Sequence, residues 1–179
     1  MLKLGLLGKY IQQSRSKEMY EKILHKDVDY SLFDFENSGQ IPGLEKFFDC
    51  VDGLSITAPY KNHFLHEVGI SPEVKELNAI NCIRKTSSGF EATNTDYLAC
   101  EEILKPHFDK DFTFFLLGDG AMSFVLQKLF EKYKQNFIVL SRRRKNLKSF
   151  SFVDNNKKYF IINCCHRDFL FEHTVNENL

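Results

Sequence analysis

Residues 112–117 read FTFFLL, an apolar run broken only by Thr113 that leads straight into Gly118-Asp119-Gly120-Ala121. A strand with one wet face alternates apolar and polar residues. A near-continuous run of this kind suits a strand buried on both faces, as in a parallel sheet covered by helices. The spacing predicts a helix over 122–133, with Phe124, Val125, Leu126, Leu129 and Phe130 on its apolar side. Strands are predicted at 137–140 and 159–162. Strand, G-x-G and helix together open a dinucleotide-binding unit. The first glycine permits the tight turn, and the second lets the backbone approach a pyrophosphate at the helix N-terminus. Ser123, at the third position of the fingerprint, is small enough for close helix–strand packing.

The strand at 137–140 ends in Ser141-Arg142-Arg143-Arg144. In nicotinamide-binding folds a carboxylate here selects NAD, whereas arginine accommodates the 2′-phosphate of NADP. Guanidinium groups make bidentate, charge-assisted contacts to phosphate. The pattern points to NADP, with Gly118, Gly120, Ala121, Ser141, Arg142 and Arg143 as cofactor-binding residues. A solvated basic loop and an RNA-binding patch are the competing readings, and no aromatic platform accompanies the patch to favour RNA.

Bulk properties narrow the class. The chain has 179 residues, enough for one large domain or two small ones. Hydrophobic residues make up 43%, with 18 Phe and no Trp, so there is ample material for a core. Lys+Arg and Asp+Glu balance at 24 each, which removes any general electrostatic case for nucleic acid or membrane binding. The sequence lacks an apolar stretch long enough to span a bilayer. MLKLGLLGKY lacks the apolar region of a signal peptide, so a cytoplasmic location is expected. Five cysteines without a C-x-x-C pair read as free thiols and argue against a zinc site. Cys164 and Cys165 read as small apolar residues at a strand end, with a redox pair as the alternative.

The first half alternates strands and helices. Strands are predicted at 2–7, 28–35, 54–57, 79–84 and 90–93. Helices are predicted at 17–26, 41–48, 60–67, from Ser71 onward, and at 94–105. The fold class is therefore α/β, with a mostly parallel sheet in the first half. The boundary falls near 98–108, giving an N-terminal α/β substrate domain at 1–100 and a shortened Rossmann-like domain at 101–179.

Residues 55–61, SITAPYK, place Lys61 just past a proline turn. On its own Lys61 is a solvated lysine or a proton donor. Asp96 is a helix N-cap or its counter-charge. Several motifs now stand in order: Gln13-Ser14-Arg15-Ser16, SITAPYK, Asn78-Ala79-Ile80-Asn81, Asn94-Thr95-Asp96 and the glycine turn. In this order and spacing the chain resembles the shikimate dehydrogenase family over roughly residues 4–165. The resemblance implies an N-terminal substrate domain, a C-terminal Rossmann domain and an active site in the cleft between them. It implies that Ser14 and Ser16 hold a substrate carboxylate, and that Thr57 and Asn81 bind substrate hydroxyls. It implies that Lys61 and Asp96 form the catalytic pair. The family's pattern is altered at Lys17, Gln13, Ser55, Cys82, Tyr97 and Phe124. Its N-A-T strand motif appears as Asn163-Cys164-Cys165, followed by His166.

The expected activity is NADPH-linked reduction of 3-dehydroshikimate to shikimate, on the route to chorismate and the aromatic amino acids. The alternative is a homologue that binds a shikimate-like acid without hydride transfer. The small-molecule substrate and NADP are the expected partners, with no nucleic acid or membrane. Family members usually continue through further strands, so a naturally shortened chain is expected, with homodimerisation as one way to cover an open sheet edge.

Overall fold

The computed structural model describes residues 1–108, 111–146 and 158–165. His166 lies outside them. The chain divides into two units, Met1–Ala99 and Cys100–Leu179.

The first unit contains β1 (Lys3–Gly8), α1 (Ser16–Leu24), β2 (Asp29–Asp34), α2 (Leu44–Phe48), β3 (Gly53–Ile56), β4 (Gly69–Ile70), α3 (Pro72–Lys75), β5 (Cys82–Thr86) and β6 (Gly89–Thr93). Helix α4 (Thr95–Leu104) follows at once. The six-stranded sheet has the order β2-β1-β3-β5-β6-β4. Strand β1 pairs in parallel with both β2 and β3, while β5 runs antiparallel to β3 and to β6. The sheet is thus mixed, because β5 and β6 form a hairpin closed by the turn before Gly89. Gly89 takes φ +125°, a conformation that favours glycine.

Register sorts the side chains. Leu4 is opposite Tyr30 and Gly53, and Leu6 is opposite Leu32 and Ser55. These residues share one face, because partners in register project to the same side and alternate residues return to it. Tyr20 of α1 packs on this face, 5.9 Å from Tyr30 between ring centroids, with its hydroxyl 3.2 Å from Ser55 Oγ. The opposite face carries Phe33, which meets Phe47 of α2 edge-on at 4.8 Å. Phe47 and Phe64 also meet edge-on, and both are buried. Gly5 must stay small here, since a Cβ would lie 2.6 Å from the Phe33 ring.

Residues 60–67 do not form the amphipathic helix that their pattern predicts. They make successive tight turns, in which the amides of Tyr60, His63 and Glu67 donate to the carbonyls of Thr57, Tyr60 and Phe64. The Lys61 carbonyl instead accepts the amide of Ile80 at 2.7 Å. An α-helix would need that carbonyl for residue 65. The same bond occupies Ile80, so β5 starts at Cys82 rather than at Ala79. The short β4 had no counterpart in the sequence pattern.

The second unit contains β7 (Phe112–Leu117), α5 (Ala121–Lys132), β8 (Asn136–Leu140) and β9 (Lys158–Asn163). All three strands are parallel, in the order β8-β7-β9. Phe114, Leu116 and Leu117 of β7 are almost wholly buried, as the apolar run requires. Phe114 stacks on Phe130 of α5 at 4.5 Å, and Val125, Leu126 and Leu129 are buried beside it. Phe124 is 43% exposed and so does not belong to the apolar side; its ring faces the Lys128 ammonium instead. Ser123 is fully buried, as the close helix–strand approach demands.

Candidate functional site

In the first unit, the predicted substrate residues gather at one end of the sheet. Ser14 and Ser16 follow the C-terminal end of β1, and Thr57 and Lys61 follow that of β3. Strand β5 runs the other way, and Cys82 lies opposite both Ser55 and Thr93. Asn81, just before β5, and Asn94-Thr95-Asp96, just after β6, therefore reach the same end.

The centre of this group is an ion pair. Lys61 Nζ donates to Asp96 Oδ2 at 2.6 Å, and the two side chains are 27% and 35% exposed. They are sheltered but open to a ligand. Lys61 is aimed by its neighbours: Tyr60 is buried, with its hydroxyl donating to the Phe35 carbonyl at 2.7 Å, and Phe64 is buried in the core.

Asp96 is not the helix cap. That role falls to Asn94, which is 1% exposed. Its Oδ1 accepts the Tyr97 amide at 3.1 Å, and its Nδ2 donates to the Ala79 carbonyl at 3.1 Å. With the cap supplied by Asn94, the Asp96 carboxylate is left for Lys61. Its place in the first helical turn also favours negative charge. Asparagine immediately before a helix is a recognised start signal, so this role was accessible from sequence.

Asn81 Oδ1 accepts both the Thr95 amide at 2.8 Å and the Thr95 hydroxyl at 3.1 Å. That fixes the orientation of the amide and turns its NH2 group away from Thr95. The Thr57 amide donates to the Leu7 carbonyl at 2.9 Å. A Cβ at Gly8 would stand 2.5 Å from the methyl carbon of Thr57, so only glycine fits beside it. Ser14 Oγ donates to Ser16 Oγ at 3.0 Å, and the Ser16 amide donates to Ser14 Oγ at 3.3 Å. The loop before them is tied down by Asp34, whose carboxylate accepts the Tyr10 and Ile11 amides and the Gln12 side chain. Asp34 lies more than 20 residues from this loop in sequence, and no local spacing marked it.

In the second unit, β7 is flanked by β8 on one side and by β9 on the other, so the chain reverses direction across the sheet at β7. Ligands of open α/β sheets bind at such a switch, beyond the strands' C-terminal ends. Gly118 sits there with φ +101°. A Cβ on it would lie 3.0 Å from Cys165 Sγ and 3.3 Å from the Cys164 carbonyl. Gly120 precedes α5 and has open space where a Cβ would be. Among the described residues no side chain caps α5, so its first amides are available to an anion. These features, with a basic turn nearby, fit a nucleotide pyrophosphate.

Ser141 is buried, and its hydroxyl is engaged within the protein. It donates to Asp119 Oδ2 at 3.1 Å and accepts the Arg144 amide at 3.0 Å. The structure thus makes Ser141 the organiser of the basic turn. Arg142, Arg143 and Arg144 are exposed. Arg143 Nε lies 3.8 Å from Asp119, which turns the carboxylate between the two glycines toward a counter-charge. Cys165 packs against the buried cluster of Phe115, Leu117 and Leu140, as do Tyr159 and Ile161. Burial, followed by the neighbouring thiols Cys165 and Cys100, pushes the Cys164 thiol up to about 11. That favours the apolar reading of Cys164 over a reactive thiolate. Among the described residues, no helix is long and apolar enough to cross a membrane.

The two units define a bipartite α/β protein: a mixed-sheet unit with a lysine–aspartate pair, and a parallel unit of the dinucleotide-binding type. No protein-family model matches the chain. Among curated relatives, it is 33% identical over 130 residues to the NADP(+) shikimate dehydrogenase of Caldicellulosiruptor saccharolyticus, covering 68% of this chain and 47% of that protein. The chain thus spans about half the length of that relative. It is 28% identical over 195 residues to the shikimate dehydrogenase of Sulfurisphaera tokodaii, covering 98% and 72%. Among solved structures, the fold matches shikimate 5-dehydrogenase from Thermus thermophilus, a complex with NADP(H) and shikimate, with TM-score 0.67, 18% identity and coverage of 92% and 69%. It also matches a quinate dehydrogenase from Corynebacterium glutamicum in complex with NAD, with TM-score 0.61, 22% identity and coverage of 90% and 64%. The chain is a divergent member of the shikimate dehydrogenase family.

Proposed function

We propose that the protein reduces 3-dehydroshikimate to shikimate with NADPH, using Lys61 as the proton donor and Asp96 as its counter-charge. The observation that carries this reading is the 2.6 Å Lys61–Asp96 contact in a sheltered but open position. NADPH, when bound, supplies the hydride that reduces the ketone carbon. The carbonyl oxygen then gains negative charge, and an ammonium nearby can stabilise it and deliver a proton. Asp96 aims that ammonium and balances its charge. Asn81 offers its NH2 group and Thr57 its hydroxyl to the ligand's hydroxyls, and the Ser14–Ser16 pair holds its carboxylate, Ser16 donating to it while Ser14 donates to Ser16. Each polar group of a small polyhydroxylated acid thereby finds a partner.

In the second unit, Gly118, Gly120 and Ala121 present the α5 N-terminus to the pyrophosphate. Arg142 and Arg143 hold the 2′-phosphate, on a turn that Ser141 organises. The relatives named as NADP(+) enzymes support this choice of cofactor.

The test is nicotinamide absorbance with purified protein, shikimate and NADP, paired with calorimetry of shikimate binding. Shikimate-dependent NADPH formation is the expected result. Binding without turnover would instead assign the chain to shikimate recognition alone.

A further inference from the structure

Beside the Ser14–Ser16 pair lies a phenol that the roles above do not use. The hydroxyl of Tyr30, on β2, is buried and makes no hydrogen bond among the described residues. A buried donor without a partner is costly, at about 1–3 kcal/mol, so a folded protein holding one invites an explanation. Ser16 and Tyr20 are one turn apart on α1 and share a face of that helix. The Tyr20 ring packs 5.9 Å from the Tyr30 ring, and its hydroxyl reaches Ser55 Oγ at 3.2 Å. The face of α1 that begins with Ser16 is therefore the face that lies over Tyr30. Burial raises the Tyr30 pKa most, the Ser16 hydroxyl lowers it, and the Tyr20 phenol adds to the rise. Tyr30 thus keeps its proton and remains a donor. Its contact with Ser16 falls short of hydrogen-bond geometry, though the two groups are close enough to influence each other.

A serine hydroxyl has one proton and two lone pairs. Ser14 Oγ already donates to Ser16 Oγ. If Tyr30 fills the second lone pair, Ser16 can only donate outward, and the chain of hydrogen bonds polarises its proton. The dipole at the N-terminus of α1 adds to this preference for an anion, with the Ser16 amide itself taken by Ser14 Oγ.

We propose that Tyr30 is a positioning residue, which donates to Ser16 once a ligand is bound and so commits the Ser16 hydroxyl, backed by Ser14, to donating to a ligand carboxylate rather than a neutral group. The inference rests on the shikimate-type reading only in the choice of ligand.

The test is calorimetry of the wild type, Tyr30→Phe, Ser16→Ala and the double variant. The probes are shikimate, shikimate methyl ester and cyclohexenecarboxylate. Tyr30→Phe should weaken shikimate about tenfold, the size of one hydrogen bond made only in the bound state, and change the ester by less than about twofold. Its melting temperature should stay the same or rise, because an unpartnered buried hydroxyl is removed. Ser16→Ala and the double variant should bind shikimate equally, since Tyr30 acts through Ser16. Equal losses for acid and ester, no loss for either, or additive losses in the double variant would overturn the role. A wild type that ignores shikimate but binds cyclohexenecarboxylate in a Tyr30-dependent way would keep the role and remove the shikimate reading. Turnover of shikimate by Tyr30→Phe with both kcat and KM as in wild type would do the reverse. A wild type that binds neither carboxylate would remove both.

Discussion

Replacing Lys61 by alanine should separate catalysis from stability. The Lys61–Asp96 pair is 27% and 35% exposed, so water screens much of its attraction, and at this exposure it contributes at most about 1 kcal/mol to folding. The backbone around Lys61 does not depend on the ammonium. Its carbonyl still accepts from Ile80 at 2.7 Å, Tyr60 still donates to Phe35, and Phe64 still fills the core. Helix α4 keeps its Asn94 cap. The melting temperature should therefore fall by no more than about 4–8 °C, the shift expected for about 1 kcal/mol in a unit of this size. Turnover should fall by roughly 10²–10⁴-fold, the usual contribution of a positioned proton donor. Asp96→Asn keeps the shape and removes the charge, so it should give a smaller loss of turnover with the fold intact. The assay is nicotinamide absorbance at saturating shikimate, beside a thermal melt of each variant. Turnover of Lys61→Ala within about twofold of wild type would refute the role, as would a loss that only tracks unfolding.

Gly118→Ala should destabilise the second unit by about 1–3 kcal/mol, because it forces a side chain to φ +101° against Cys165. It should also abolish NADPH binding, read as nicotinamide fluorescence; unchanged binding would move the cofactor elsewhere. Asn94→Ala removes the α4 cap and the bond to Ala79, and should cost about 1–2 kcal/mol in a denaturant melt. Glu101 accepts from Lys132 at 2.8 Å and from Tyr133 at 2.7 Å, and these bonds, Lys132 first, lower its pKa. Its folded pKa lies below its unfolded one, so its contribution is full above the unfolded value and fades as pH falls through the folded value. Glu101→Gln should therefore melt below wild type at neutral pH, with the gap closing in acid. A gap that widens in acid would contradict this sign.

The parallel unit was legible because its signals are local. An apolar run, a glycine turn and an amphipathic helix each state their geometry within a dozen residues. Phe124 was misplaced because four of its neighbours on the helix are buried and the period alone did not exclude it. Residues 60–67 misled for a different reason. Their apolar spacing suits a helix, but the Lys61 carbonyl is taken by Ile80, far outside any local window. Asn94 was readable as a cap, and recognising it would have freed Asp96 for its other role. Tyr30 and Asp34 were not readable, since nothing near them in sequence marks the serine loop they serve.

From sequence alone follow the α/β class, the glycine turn with its basic partner, and the kinds of side chain a hydroxylated acid would need. Periodicity and turn chemistry are properties of short segments, which is why these could be read directly. Only the tertiary structure decided which of those side chains meet. Lys61 and Asp96 are 35 residues apart, and they meet because β5 and β6 turn back beside β3 and return the chain to the same end of the sheet. That register is set by core packing across the whole unit, through Phe33, Phe47 and Phe64 on one face and Tyr20 and Tyr30 on the other. No segment carries that information by itself.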